Sequence, residues 1–186
     1  MNRRSFLIRG LGLAIPLSLT LFFSLKGIPS YLKYFFTPSP PEGFSENDWR
    51  TLQAVLEHLL PSEPGSPGAE DIRALEYYRS LLSHDLTEGK ERETFQVGLG
   101  EIETLALKTV NRSFTSLSEK QREAVLRSFE GTTRGKEWLT ENLNYLFEAL
   151  LGDPVYGGNP SGMAWEWLGH GPGFPRPPVG KRYYEL

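Results

Sequence analysis

The sequence predicts an all-α fold, a compact bundle of about five helices with an irregular C-terminal segment, on three observations. Apolar residues recur every three or four positions in five separate stretches, the period of an amphipathic helix. Clusters of proline and glycine divide those stretches, and such clusters mark turns between elements. No stretch alternates apolar and polar residues with the period of two that a half-buried strand needs. Apolar residues make up 39% of the 186-residue chain and charged residues 23%, a balance that suits one folded domain.

Residues 1–36 stand apart from that domain. Arg3-Arg4-Ser5-Phe6-Leu7 precedes an apolar run broken only by Arg9, the pattern of a twin-arginine export signal. Arg3, Arg4, Phe6 and Leu7 are its expected recognition residues, and the twin-arginine translocase is the expected receptor. That route carries proteins already folded, so some member of the exported assembly is expected to take up a cofactor first. Residues 10–25 are uncharged and mainly apolar; as a helix they would span ~24 Å, short of a hydrocarbon core of ~30 Å. No Ala-x-Ala-like cleavage site follows. Residues 28–36 are again apolar, with Tyr31, Tyr34, Phe35 and Phe36 suited to a membrane interface. Cleavage and retention as a membrane anchor therefore both stay open. With the basic end cytoplasmic, the body is expected on the periplasmic face of the membrane.

Thr37-Pro38-Ser39-Pro40-Pro41 reads as a stiff extended spacer, so residues 37–43 form a Pro-rich linker and 44–186 the helical domain. Ser45 followed by Asp48 is a capping-box start, after which Trp49, Leu52, Leu56 and Leu59 share a helical face. Pro61 closes that helix and residues 62–68 form a loop. A second helix is expected from near Ala69, with Glu70 and Asp71 at the positive end of its dipole and Ile72, Leu75, Tyr78 and Leu82 as its stripe. A third, from about Arg92 to Val110, uses Phe95, Leu99, Ile102, Ala106 and Val110; Gly98 and Gly100 weaken it. Ser118 with Gln121 caps a fourth, whose buried side is expected to be Ala124, Val125 and Phe129. A break over residues 131–135 leads to a fifth, carrying Leu139, Leu143, Leu146, Phe147 and Leu150 and stopping at Gly152. Beyond Gly152 glycine and proline are too frequent for a long helix or a central strand, so Tyr156, Trp165, Trp167 and Phe174 must bury against the bundle or another protein.

Composition excludes several functions. The chain has no cysteine, which removes disulfides, haem c attachment, thiolate-held clusters and a catalytic thiol from this polypeptide. Its formal net charge is −3, and residues 1–36 hold basic side chains but no acidic ones. The body is therefore more acidic than the whole, which argues against nucleic acid as a partner. His58, His84 and His170 lie in separate segments without metal-ligand spacing. No serine sits in a Gly-x-Ser-x-Gly elbow. No catalytic, cofactor-binding or metal residue is assigned.

The densest motif is Asp153-Pro154-Val155-Tyr156-Gly157-Gly158-Asn159. The glycines permit positive φ and close backbone approach, and Asp153 and Asn159 can bond local amides. A folded turn that ends the last helix, a partner-docking surface and the edge of a ligand pocket are all compatible with it. No Lys-Ser/Thr follows, so it is not a phosphate loop. Trp165-Glu166-Trp167 with His170 could stack on a sugar, but suits a packing lid or an interface better. A stand-alone exported sugar-binding module is the alternative function.

These features together resemble the small subunit (subunit 3, or gamma) of membrane-bound gluconate 2-dehydrogenase. The resemblance rests on the Arg3-Arg4-Ser5-Phe6-Leu7 leader, Leu59-Leu60-Pro61, Ser66-Pro67-Gly68-Ala69 and Phe114-x-x-Leu117-Ser118. Its most specific part is Gly152-Asp153-Pro154-x-Tyr156-Gly157-Gly158-Asn159 with Trp165-x-x-Leu168-Gly169 downstream. The chain departs from the family at Ser161-Gly162-Met163-Ala164, where an acidic or glycine-rich link is usual. The resemblance implies a non-catalytic partner of a large FAD-dependent sugar or alcohol dehydrogenase, which often passes electrons to a separate cytochrome c subunit. It also implies that the small subunit escorts the large one through export. Asp153, Pro154, Tyr156, Gly157, Gly158, Asn159, Trp165 and Trp167 are then the residues expected to dock the partner or shape the fold.

Overall fold

The computed structural model describes residues 43–83, 89–174 and 176–183. The expected leader with Arg3, Arg4, Phe6 and Leu7, the linker up to residue 42, and His84 lie outside the described residues. The described residues form helices α1 (Glu46–Leu59), α2 (Ala74–Ser83), α3 (Gly89–Val110), α4 (Glu119–Glu130), α5 (Thr133–Leu151) and α6 (Met163–Leu168), with no strand among them. The fold is all-α, as the periodicity predicts.

Local sequence chemistry sets most helix starts. The Ser45 backbone N–H donates to the Asp48 carboxylate at 2.7 Å while Asp48 N–H returns a bond to Ser45 Oγ at 3.2 Å. Ser118 and Gln121 form the same reciprocal box at α4, and the Thr132 hydroxyl accepts from Gly135 N–H at α5. The expected break over residues 131–135 is therefore shorter in the structure, because Gly135 already lies inside α5.

The second helix starts five residues later than the sequence suggests. Arg73 adopts a left-handed φ of 53°, which no α-helix continues through. Residues 69–73 are turns instead, and Asp71 does not serve the dipole of α2. Its carboxylate accepts from Gly68 N–H at 2.8 Å and from the Ser62 hydroxyl at 2.6 Å. The kink also leaves the Ile72 carbonyl outside any helical ladder, and it accepts from Asn159 N–H at 2.9 Å.

The core is aromatic and continuous. α3 packs on α1, α4 and α5, and α5 packs on α2, α4 and α6. Trp49, Leu52 and Leu56 of α1, Tyr78 and Leu82 of α2, and Phe95, Leu99 and Ile102 of α3 are buried. Trp138 lies at the centre, 5.4 Å from Phe95 and 5.7 Å from Phe129 between ring centroids, and its Nε1–H donates to the Phe95 carbonyl at 3.2 Å. The buried tyrosine Tyr78 donates to the Asn142 carbonyl at 2.8 Å, which meets its hydroxyl's need for a partner. One expected core assignment is corrected, and the apolar residues of α5 divide between core and surface. Ala124 is exposed and Leu126 takes its place in the core of α4; Leu143 and Phe147 of α5 face outward.

The two glycines inside α3 have different roles. A Cβ on Gly98 would sit 2.2 Å from Trp138 Nε1, whereas a Cβ on Gly100 would meet nothing within 4 Å. Gly98 is the notch that admits the indole of a helix forty residues on. Gly98→Ala is therefore expected to destabilise by at least 1–3 kcal/mol through overpacking. Gly100→Ala is expected to stabilise by about 0.5–1 kcal/mol through helix propensity. Urea denaturation of the two variants measures the opposite signs.

Polar ties between helices carry an acid sensitivity. His58 in the last turn of α1 lies 2.6 Å from Glu123 of α4, which also accepts from Arg127 at 2.8 Å. These partners, His58 first, hold the Glu123 carboxyl below its ordinary range. The Ser62 hydroxyl, and then Gly68 N–H, do the same for Asp71. A depressed folded pKa contributes stability above the unfolded value and loses it as pH falls through the folded one. The wild type is thus expected to lose stability below about pH 4. An Asp71→Asn/Glu123→Gln variant, already lacking that contribution at neutral pH, should lose less over the same interval in urea midpoints.

Candidate functional site

The Asp153–Asn159 motif sits where α5 ends, α2 begins and α6 starts. α5 closes with Gly152 N–H donating to the Glu148 carbonyl at 2.7 Å. Asp153 then caps a single 3-10 turn, Pro154–Tyr156, by accepting from Val155 N–H at 3.0 Å. Pro154 at the first position of that turn has no N–H to leave unpaired.

Asn159 joins the three elements. It is fully buried and left-handed, with φ 47°. Its backbone N–H reaches the Ile72 carbonyl at 2.9 Å, its Nδ2 donates to the Gly152 carbonyl at 3.1 Å, and its Oδ1 accepts from Ala164 N–H at 2.8 Å. One side chain thus satisfies the end of α5 and the start of α6 while the backbone fastens the kink before α2. Asparagine is among the few residues that tolerate this backbone region.

The glycine pair is filled by protein. A Cβ on Gly158 would stand 2.5 Å from the Ala149 carbonyl, and Gly157, at φ 110°, has the Glu76 carbonyl 3.3 Å from where its Cβ would be. Their close approach serves the packing of this segment on α5 and α2, while the pair also borders a cavity of about 450 Å³ that Arg73, Asp153, Arg176, Lys181 and Arg182 help to line.

Trp165 is also committed inward. It is 6% exposed, its Nε1–H donates to the Leu151 carbonyl at 2.7 Å, and the Arg176 guanidinium lies 4.5 Å from its ring centroid. Arg176 extends to Asp153 Oδ2 at 3.4 Å, so the C-terminal segment is tied back over the motif. Arg182 repeats the device, donating to Glu76 at 3.0 Å and to the Pro154 carbonyl at 3.3 Å. The indole face that a sugar would need is covered by Arg176.

Tyr156 and Trp167 point the other way. Tyr156 is 47% and Trp167 44% exposed, and Phe174 is 90% exposed. Tyr156 is braced by Tyr183 at 5.6 Å between ring centroids, and it lines a surface groove with Tyr77, Phe147 and Leu151. Trp167 lies on a different face, near Pro67 and Glu166. The structure therefore divides the predicted set: Asp153, Gly157, Gly158, Asn159 and Trp165 build the junction, Pro154 starts its turn, and Tyr156 and Trp167 stay exposed. Sequence reasoning missed Arg176, Arg182, Tyr183 and Tyr77, which come from distant positions. Spacing carries no signal for them.

Among the described residues no group of three or more His, Asp or Glu side chains could hold a metal ion. His170 is exposed and stands 6.3 Å from the Trp165 ring. Among the described residues no helix is long and apolar enough to cross a membrane.

A family model, gluconate 2-dehydrogenase subunit 3, matches residues 46–173, the span from α1 through α6. No curated protein and no solved structure matches the chain. The chain belongs to the gluconate 2-dehydrogenase subunit 3 family.

Proposed function

We propose that this chain is the non-catalytic small subunit of a membrane-associated, FAD-dependent sugar or alcohol dehydrogenase of the gluconate type, supporting export and maturation of the flavin-bearing large subunit. The observation that carries this reading is membership of a family defined as one subunit of a dehydrogenase. Two features support it. The Gly157-Gly158 pair packs against Glu76 and Ala149, as a fold-shaping part of the motif would. The leader at Arg3-Arg4 suits the folded-state export that a flavoprotein requires.

In this division of labour FAD belongs to the large subunit and supplies the oxidation of the substrate hydroxyl. A third subunit with haem c would carry electrons onward. This chain offers an export signal for the twin-arginine translocase, attachment to the periplasmic face of the membrane through its N-terminus, and a rigid body for docking. A stand-alone sugar-binding module fits less well, because Trp165, its best stacking platform, is already occupied on one face by Arg176.

The test is purification from membranes through a tag on this chain, in cells that also express a flavoprotein dehydrogenase large subunit from the same genome. A flavin-bearing protein with dye-linked dehydrogenase activity is expected in the eluate. Recovery of the chain alone, with a melting temperature that rises in saturating sugar, would favour the binding module instead.

A further inference from the structure

The cavity beside Gly157 and Gly158 opens where the kink before α2, the motif and the returning C-terminal segment meet. At about 450 Å³ it falls in the size range of small-molecule sites, roughly 300–1,000 Å³. Pro154 and Pro160 of the motif's two turns, with Pro177 and Pro178 of the C-terminal segment, supply apolar walls. Proline fixes its own φ, so those walls are set before a ligand arrives.

The charge of the cavity is one-sided. Asp153 is the one carboxylate in its wall among the described residues, against Arg73, Arg176, Lys181 and Arg182. Two of these cations are already answered: Arg176 by Asp153 at 3.4 Å and Arg182 by Glu76 at 3.0 Å. Arg73 stands 3.9 Å from that same Glu76, beyond hydrogen-bond distance. Lys181 is exposed and enters no ion pair among the described residues. The positive charges of Arg73 and Lys181 therefore remain for a ligand. Guanidinium and ammonium groups both hold phosphate and carboxylate oxygens.

The backbone marks the same place. Arg73 and Ser161 have left-handed φ of 53° and 57°, and both line the cavity. Non-glycine residues are held in this region at a cost, and such residues gather at ligand sites. Asparagine would adopt the backbone of position 73 more easily than arginine does, so local backbone preference does not account for the guanidinium there.

We propose that this cavity binds a small organic dianion, a phosphomonoester or a dicarboxylate, with its charge on Arg73 and Lys181 and its body along the proline walls. The proposal needs only this chain, independently of the large subunit.

The test is isothermal titration calorimetry of the full-length chain in mild detergent, with glucose 6-phosphate, glucarate, gluconate and glucose as probes. At least one of the two dianions should bind with a dissociation constant below about 1 mM, at least fivefold tighter than gluconate, and glucose should not bind. The tighter of the two tells a phosphate head from a pair of carboxylates. Arg73→Asn/Lys181→Gln should lose at least tenfold in affinity, with a melting temperature at or above wild type because asparagine relieves the backbone at position 73. Lys181→Gln alone, at an exposed position, should lose at least threefold. Lys136→Gln, exposed on α5, should stay within twofold. No binding of either dianion by the wild type, gluconate bound as tightly as the dianions, or undiminished binding by the double variant overturns the assignment. An equal loss with Lys136→Gln overturns it too, since the attraction would then come from bulk charge.

Discussion

Asn159→Ala is expected to destabilise the domain by about 3–5 kcal/mol, the largest effect of any single side chain in the motif. Two buried groups lose their partners: the Gly152 carbonyl and the Ala164 N–H. Each costs roughly 1–3 kcal/mol when left unmet. Alanine at φ 47° adds about 1 kcal/mol of backbone strain. Against a domain stability on the order of 5–15 kcal/mol, such a loss moves the melting temperature by 10 °C or more, at roughly 3–5 °C per kcal/mol. Tyr156→Ala, at a half-exposed position, should stay within about 1 kcal/mol of wild type. If Asn159→Ala melts within 2 °C of wild type, the junction is held by something other than that amide.

The second large effect concerns transport. Arg3→Lys/Arg4→Lys keeps the charge and removes only the guanidinium pair that a twin-arginine signal presents. Both this chain and the large subunit are expected to stay in the cytoplasm, with periplasmic dye-linked activity falling at least tenfold. Cell fractionation and immunoblotting of both proteins measure it. A large subunit that reaches the periplasm normally beside a stranded small subunit would contradict the escort role. Circular dichroism of the purified variant, expected to match wild type, separates export from folding.

The parts of the fold legible in the sequence are those decided locally. The boxes at Ser45–Asp48 and Ser118–Gln121 are fixed within four residues, and the stripes of α1 and α3 follow a single apolar phase. The start of α2 was not legible, because the left-handed turn at Arg73 goes with a tertiary bond from Asn159 to Ile72. Gly98 reads as a weak point of α3 until Trp138 is seen resting on it. In α5 the apolar residues wrap more than one side, so periodicity could not say which of Leu143, Leu146, Phe147 and Leu150 faced the core. The motif after Gly152 was visible as a unit, but its split into a buried junction and outward aromatics depends on Arg176 and Tyr183, which return from later in the chain.

The division between an escorting subunit and a catalytic one is tested most directly by separating the two proteins. The purified small subunit should show no flavin absorbance and no turnover of gluconate or related polyols with a dye acceptor, while the reassembled pair shows both. Flavin bound stoichiometrically to the small subunit alone, or dye reduction by it, would contradict that division.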